Sequence, residues 1–234
     1  MTIPVWHDDQ QGTAAVILAG LINALKIVGK NNRTVRIALI GAGAANIAVV
    51  RVLIAAGFPA QNMIVVDTKG ILHKGRDDLK SPDNEFKWRI CEMTNGERRT
   101  GGIAAAMKGA DVCIALARSG PGVIKPEWIA TMAKDSIVFA CANPVPEIWP
   151  WEATEAGARI VATGRSDFPN QVNNSLGFPA IFRGVIDVAA RTITDEMCIA
   201  AAEELARCKE GDGLREDAIL PTMDDREVFP REAA

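Results

Sequence analysis

The feature that most constrains the fold is a glycine-rich turn that joins an apolar strand to an apolar helix. It lies in the stretch VRIALIGAGAAN, at positions 35–46. Val35–Ile40 are mostly β-branched or aliphatic, and Ala44–Ala56 have the composition of a buried helix. Gly57 and Pro59 follow, as is typical after the end of a helix. The segment therefore predicts one strand–turn–helix unit.

The same alternation of strands and helices continues along the chain. Further strands are predicted at 63–67, 110–116, 136–142 and 158–163, and further helices at 102–108, 126–133 and 152–156. Strands that alternate with helices form a parallel sheet that is covered on both faces. We therefore predict an α/β fold, a Rossmann-like doubly wound parallel sheet with flanking helices.

Segments on either side of this unit have less regular patterns. Thr13–Val28 are apolar nearly all round and predict a buried helix. A polar segment, residues 69–100, interrupts the alternation and contains one predicted helix. Helices are predicted at 85–93, 180–190 and 195–207. The segment from Lys209 onward is polar, and its last residues are expected to pack against nothing.

The glycine turn has the residues that a pyrophosphate-binding turn requires. Gly41 permits the tight turn, and Gly43 lets the backbone approach the phosphates. The free N–H groups of Ala44 and Ala45, at the start of the helix, would donate hydrogen bonds to them. Asn46 stands where a third glycine is usual, which predicts slightly wider packing of the helix against the strand. A plain strand-to-helix turn is the alternative interpretation.

An acid at the end of the next strand is typical of dinucleotide binding, because it accepts hydrogen bonds from the ribose hydroxyls. Asp67 has this position. Its charge disfavours the 2′-phosphate of NADP and so favours NAD. Lys69 offsets that charge in part, so the preference for NAD over NADP is slight.

Asparagine-rich loops follow two later strands, where strand ends open onto a cofactor in doubly wound sheets. One loop, CANPVPEI, contains Asn143, and the other, FPNQVNNSLGFP, contains Asn170, Asn173 and Asn174. Amide groups both donate and accept hydrogen bonds, so they orient a carboxamide or a carboxylate without adding charge. Asn-Pro and Asn-Asn pairs are also turn formers. Spacing alone leaves both interpretations open.

Two adjacent carboxylates, Asp8 and Asp9, precede the first apolar helix. Asp8 can cap that helix with Gln11 as its capping-box partner, which leaves Asp9 without a role. Alternatively, the pair provides oxygen ligands of the kind that Mg²⁺ and Mn²⁺ prefer. The residues alone do not separate these alternatives.

Composition limits the classes of partner. The net charge of −3 and the pI near 5.5 argue against nucleic acid and anionic membranes as partners. The longest apolar run, Ala14–Leu25, is shorter than a membrane-spanning helix. The five cysteines are odd in number and lack C-x-x-C spacing, which indicates packed, reduced thiols in a cytoplasmic protein.

Several of these motifs together resemble one family. IPVWHDDQQGTA, GAGAAN, VVDTKGILHKGR, ANPVPEI and TGRSDFPNQVNNSLGFPAIFRG are similar, in this order, to the NAD(P)-binding domain of malic enzymes of the compact bacterial and archaeal type. The resemblance implies oxidative decarboxylation of malate to pyruvate and CO₂, with NAD or NADP and with Mg²⁺ or Mn²⁺. It also implies a homo-oligomer, a dimer, in the complete enzyme.

The resemblance assigns roles to residues of this chain. Asp9 matches a ligand of the divalent metal, and Asp8 matches a neighbour that supports the proton chemistry of a catalytic lysine. Asn143 and Asn174 match amides that hold malate beside the nicotinamide, and Asn143 also contacts the cofactor. Gly41, Gly43 and Asp67 match the dinucleotide contacts, and Lys69, close to Asp67 in sequence, is expected at the same site.

The resemblance also divides the chain into segments. Residues 1–30 would contain the inter-domain motif and a helix that packs on a preceding domain, and that helix would be exposed without it. Residues 31–192 would form the NAD(P)-binding domain, and 193–234 a truncated helical segment. The family's lysine base, tyrosine acid and Glu-Asp ligand pair lie in the preceding domain, and this chain contains no tyrosine. We therefore expect the chain to bind dinucleotide but to turn over little malate alone.

Two other interpretations remain open at this point. A non-catalytic module that senses dinucleotides would have the same turn, and another dehydrogenase, such as an amino-acid dehydrogenase, would have the same fold. The second alternative needs a base within this chain. His7, His73 and the lysines form no pair with convincing spacing.

Overall fold

The computed structural model describes residues 3–225 and 227–234. The strands are β1 (Ile37–Ile40), β2 (Met63–Asp67), β3 (Gly70–Ile71), β4 (Val112–Ala115), β5 (Ser136–Ala140) and β6 (Ala158–Thr163). The helices are α1 (Thr13–Val28), α2 (Ala44–Ala55), α3 (Glu85–Met93), α4 (Ile103–Met107), α5 (Pro126–Ile129), α6 (Pro150–Glu155), α7 (Phe178–Asp187), α8 (Asp195–Gly211) and α9 (Val228–Ala233). The predicted elements agree with these bounds to within a few residues. β3 and α9 were not predicted.

The strands form one sheet in the order β3-β2-β1-β4-β5-β6. β1 pairs in parallel with both β2 and β4, so the chain winds outward from β1 in two directions. β5 pairs in parallel with β4 and β6. Winding of this kind leaves a crevice at the carboxyl end of the central strands, where such sheets bind ligands. The predicted α/β doubly wound class is confirmed.

β3 is an antiparallel edge strand in a sheet that was predicted to be parallel throughout. It pairs Gly70 with Asp67 of β2. Two residues are too few to leave a periodic pattern in the sequence. The reversal brings the polar segment that follows β3 back to the end of β2.

The sheet separates two apolar cores, because successive side chains of a strand point to opposite faces. In β1, Ile37 and Leu39 face a core that contains α1, α2 and α8. Ala38 and Ile40 face a second core, which contains α4, α5 and α6. Both faces of the sheet are therefore covered.

α1 is buried within the chain itself. Most of its residues are at most 5% exposed, and it packs against α2 and α8. The expectation that this helix is exposed without a preceding domain is wrong, because α8 covers it. The helical stretch Asp8–Val28 is long and apolar enough to cross a membrane, but 67% of its most apolar window is buried. Its apolar character therefore serves the core of this fold.

The segment after Lys209 packs against the domain, contrary to the expectation from its polar composition. Ile219, Leu220 and Val228 are buried in the core that contains α1. α9 packs against α7 and α8. The segment is mostly exposed, and a few apolar residues spaced along it are enough to attach it to the core.

Candidate functional site: the glycine turn and the acidic pair

The glycine turn between β1 and α2 has a conformation that requires its first glycine. Gly41 has φ +103°, and a Cβ there would lie 2.5 Å from the carbonyl oxygen of Leu116. Gly43 has an extended backbone with open space where a Cβ would stand. The first glycine therefore lets the turn pass close to β4, and the second leaves the outer side of the turn open.

Asn46 fixes the shape of this turn. Its side chain is fully buried, and its amide donates to the carbonyl oxygens of Ile40 (2.9 Å) and Gly41 (2.8 Å). These carbonyls end β1 and begin the turn. The residue that stands where a third glycine is usual thus ties α2 to the strand by hydrogen bonds.

A cavity of about 390 Å³ opens beside the turn, at the carboxyl ends of β1, β2 and β4. It is lined by Gly41–Gly43, Asp67, Lys87 and residues 116–118, among others. A second cavity of about 390 Å³ adjoins it and is lined by Asp67, Lys69 and Arg76. The groove that a diphosphate needs is therefore open.

Asp67 lies between these two cavities, but its carboxylate is already paired. Arg76 donates to both of its oxygens, with Nη1–Oδ1 at 2.6 Å and Nη2–Oδ2 at 3.0 Å. The backbone N–H of Lys69 donates to the same Oδ1. Burial raises the pKa of Asp67, but the hydrogen bonds from Arg76 and Lys69 outweigh it and hold the pKa below its usual value. The acid is ionised and its charge is neutralised locally.

The basic residues around Asp67 form a network that the sequence analysis did not predict. Arg76 also pairs with Asp78, and Lys69 pairs with the same acid. Lys87 lies 3.7 Å from Asp67. The polar sequence around Arg76 does not indicate a contact with Asp67. That contact exists because the reversal at β3 brings Arg76 back to the end of β2.

The other predicted cofactor residues lie along the same edge. Ala44 and Ala45 begin α2, as predicted for groups that donate N–H to phosphates. The side chain of Lys69 is 67% exposed. Asn143 is exposed in the loop after β5, and a Cβ at Gly164 would lie 3.1 Å from its amide nitrogen. Asn143 therefore borders the loop that follows β6.

The acidic pair meets the second asparagine loop. The Asn174 amide donates a short hydrogen bond to Oδ2 of Asp8, although 166 positions separate the residues. Oδ1 of Asp8 is buried and has no hydrogen-bond partner. Burial raises the pKa of Asp8 more than the bond from Asn174 lowers it, and the neighbouring charge of Asp9 raises it further.

Asp8 does not cap the first helix. His7 is the N-cap residue, and Gln11 reaches back to accept from the His7 backbone N–H at 3.2 Å. The capping-box alternative for Asp8 therefore fails. Asp9 is exposed at the start of the helical turn.

The remaining asparagines have structural roles. The buried amide of Asn170 donates to the carbonyl oxygens of Val161 and Glu216 and accepts from the N–H of Ile219. Asn173 accepts from Ser175 and donates to Gly164. Asn174 is the member of this loop whose amide points at the acidic pair.

The described residues do not provide a complete metal site. Across residues 3–225 and 227–234, no group of three or more His, Cys, Asp or Glu side chains is placed to hold an ion. Asp8 and Asp9 are neighbouring oxygen donors. Of the two Asp8 oxygens, Oδ1 is the one without a hydrogen-bond partner. A divalent cation needs about six oxygen ligands. The chemistry of this pair suits such an ion, but the pair supplies only part of its ligand set.

Taken together, the turn at Gly41, the acid that ends β2 and the crevice between them define the class of the protein. It is a dinucleotide-binding domain of the Rossmann type.

Comparison with known proteins identifies the family. Residues 10–232 match the family model described as malic enzyme, NAD binding domain. The chain is 46% identical to the NAD-dependent malic enzyme of Geobacillus stearothermophilus, over 99% of this chain and 46% of that protein. It is 45% identical to the NADP-dependent malic enzyme of Halomonas elongata, over 98% of this chain and 56% of that protein.

A solved structure agrees with this result. The malic enzyme of Entamoeba histolytica superposes with a TM-score of 0.97 and 54% identity, over all of this chain and 48% of that one. The chain belongs to the malic enzyme family and is its NAD-binding domain. It spans about half the length of the curated relatives it matches.

Proposed function

We propose that the enzyme to which this domain belongs catalyses the oxidative decarboxylation of malate to pyruvate and CO₂. The observation that carries the proposal is the contact between Asp8 and Asn174. It joins the acidic pair at the start of the chain to the loop after β6, and the turn that begins at Asp8 also packs against α2, the helix that follows the glycine turn. We propose that these carboxylate and amide groups, which suit a hydroxy acid, lie beside the coenzyme groove.

In this reaction C2 of malate is oxidised and C4 is lost as CO₂. When bound, a nicotinamide coenzyme would supply the hydride acceptor, and a divalent cation would supply a Lewis acid for the C2 oxygen. We propose Asn143 and Asn174 as the groups that orient the substrate, and Asp9 as one ligand of the cation. Asp8, with its raised pKa, would support proton transfer at a neighbouring base. The rest of the ligand set and the principal base would come from outside this chain.

We propose that the domain accepts both NAD and NADP. The sequence favoured NAD because a carboxylate at Asp67 repels a 2′-phosphate. Arg76 neutralises that carboxylate through two hydrogen bonds, and Lys87 adds positive charge beside it. The electrostatic penalty against NADP is therefore small at this site.

We further propose a cytoplasmic homodimer. All five cysteines are buried and unpaired, as suits a reducing compartment. The apolar side chains Phe178, Phe182 and Ile186 of α7 are 37%, 37% and 70% exposed, one helical turn apart. Such a row is a suitable contact for a second subunit.

The test uses two proteins. The 234-residue chain is titrated with NADH and assayed for malate-dependent NAD(P)H formation with Mn²⁺. We expect binding without robust turnover. A chimera then joins the chain to the part of the Geobacillus stearothermophilus enzyme that it does not match, with and without Asp9→Ala. We expect activity in the unaltered chimera and its loss in the variant, with NADH binding retained. Robust turnover by the chain alone, or an active Asp9→Ala chimera, contradicts these assignments.

A further inference from the structure

Glu147, in the loop after β5, is a fully buried carboxylate that holds two loops at once. One oxygen accepts from the backbone N–H of Ala117 at 2.8 Å, and the other accepts from the N–H of Ala142 at 3.0 Å. Ala117 follows β4 and Ala142 follows β5. In the described residues no Lys, Arg or His forms an ion pair with Glu147. Backbone N–H groups therefore stabilise its charge in place of water.

The two loops that Glu147 joins border the proposed cleft. Residues 116–118 line the coenzyme cavity beside Gly41. Ala142 directly precedes Asn143, the proposed substrate ligand. This side chain therefore bridges a wall of the coenzyme cavity and the residue that precedes a proposed substrate-orienting amide.

Other hydrogen bonds make the two loops one unit around this carboxylate. Gly120 N–H and the Ser119 hydroxyl both donate to the carbonyl oxygen of Val145, at 3.0 and 3.1 Å. Ile124 N–H donates to the carbonyl oxygen of Glu147 at 3.2 Å. These bonds join the parts of the loops that lie farther from the strands. Of the hydrogen bonds named here, those to the carboxylate join the loop ends next to the strands.

Only the ionised form of Glu147 accepts both N–H groups at full strength. An amide presents a donor to one of the two N–H groups and must release it, and a protonated carboxyl keeps only the weaker acceptor capacity of its hydroxyl oxygen there. Burial raises the pKa of Glu147 to about 7, and the N–H donors lower it only in part. The titratable groups that face it are the thiols of Cys113 and Cys141, and burial and the Glu147 charge raise the pKa of both. Both thiols therefore stay neutral while Glu147 ionises.

We infer that Glu147 is a positioning residue that couples the coenzyme loop to the Asn143 loop, and that its ionisation closes both loops around the coenzyme. The inference rests on the proposed function, since it assigns the two loops to one cleft. If only the ionised form binds tightly, the affinity for the reduced coenzyme rises about tenfold between pH 6 and pH 8.5. A residue with a merely structural role would not produce this dependence.

The experiment measures NADH binding by the 234-residue chain between pH 6 and pH 8.5. NADH is used because it lacks the 2′-phosphate of NADPH, which would itself titrate near pH 6. We expect the affinity of Glu147→Gln to be at least about tenfold weaker than that of the unaltered chain at pH 8.5, and independent of pH. The control is Glu152→Gln, which removes a nearby carboxylate that caps α6. It should keep both the affinity and its pH dependence.

A second measurement needs no substitution. In ¹⁵N-labelled protein, the amide resonances of Ala117 and Ala142 should shift together with pH, with one midpoint near neutrality. Amides that do not titrate together, or an affinity of Glu147→Gln equal to that of the unaltered chain at every pH, would overturn the inference. Failure of the unaltered chain to bind NADH would contradict the proposed function instead, and the paired amide titration would still decide whether Glu147 couples the loops.

Discussion

At the residue scale, the two glycines of the turn differ in what a side chain would meet. At Gly41 a methyl group meets the Leu116 carbonyl oxygen in a backbone conformation with positive φ. At Gly43 it meets open space, on the side from which phosphates approach. Stability and coenzyme affinity should therefore separate at these neighbouring positions.

We expect Gly41→Ala to lower the free energy of unfolding by roughly 1–3 kcal/mol, because of backbone strain and the close contact. The same substitution should also weaken NADH binding. Gly43→Ala should stay within about 0.5 kcal/mol of the unaltered chain but bind NADH more weakly. Urea unfolding and fluorescence titration measure the two quantities. Equal destabilisation by both substitutions would refute the distinction.

The Arg76–Asp67 pair makes a prediction about coenzyme choice. Arg76→Gln leaves the Asp67 carboxylate with Lys87 as its remaining cation, at a longer distance. With both Arg76 hydrogen bonds lost, the less compensated charge of Asp67 should lower NADPH affinity roughly tenfold more than NADH affinity. The control is Arg89→Gln, which removes an exposed pair with Glu85 on α3. An NADPH-to-NADH affinity ratio that does not change in Arg76→Gln would argue against a role for the pair in coenzyme choice.

At the element scale, the elements predicted well are those whose position depends on burial. β2, β6 and α1, which are largely buried, have the predicted bounds, because periodicity and breakers decide them. α3 also has the predicted bounds, although only Ile90 and Cys91 of its residues are buried. β3 was missed because two residues carry no period. α9 was missed because its few apolar residues do not stand out in a polar segment.

Site residues were predictable where backbone chemistry demands one residue type, as at Gly41. Arg76 was not, because its contact with Asp67 depends on an unpredicted reversal of the chain. The sequence left Asn170 open between a ligand role and a turn-forming role, and its amide binds backbone groups of residues as distant as Glu216. A sequence shows that an amide is present but not which partner the fold brings to it.

α1 carries a buried polar residue that ties helices to the C-terminal segment. The amide of Asn23 donates to the carbonyl oxygens of Ala206 (3.0 Å) and Ile219 (2.9 Å). We expect Asn23→Leu to cost about 2–3 kcal/mol, because two buried carbonyls lose their donor. Asn62→Ala, which removes a longer bond to Arg33, should cost less than about 0.5 kcal/mol. Thermal unfolding compares them, and equal losses would contradict the role of Asn23.

At the scale of the whole molecule, α9 packs back against the rest of the domain. Arg231 pairs with Glu204 of α8 at the surface. The next residue, Glu232, is 8% exposed, and its Oε2 has no partner. Its Oε1 lies 3.3 Å from where a Cβ at Gly177 would stand, behind the loop of Asn174. α9 thus places in the core a carboxyl group with one oxygen that has no hydrogen-bond partner.

Burial raises the pKa of Glu232 from 4.5 to about 9, so the folded state binds a proton that the unfolded chain releases above pH 4.5. The stability that this proton provides is present below pH 4.5 and is lost as the pH rises toward 9. Glu232→Gln stays neutral and should gain about 1–3 kcal/mol over the unaltered chain between pH 5 and pH 9. Release of α9, which would hydrate the acid, limits this gain. Arg231→Gln, the control, removes a surface pair and should shift stability equally at both pH values. Chemical unfolding at pH 5 and pH 9 measures the differences, and a gain for Glu232→Gln that does not grow with pH would show that the carboxylate is hydrated in the folded state.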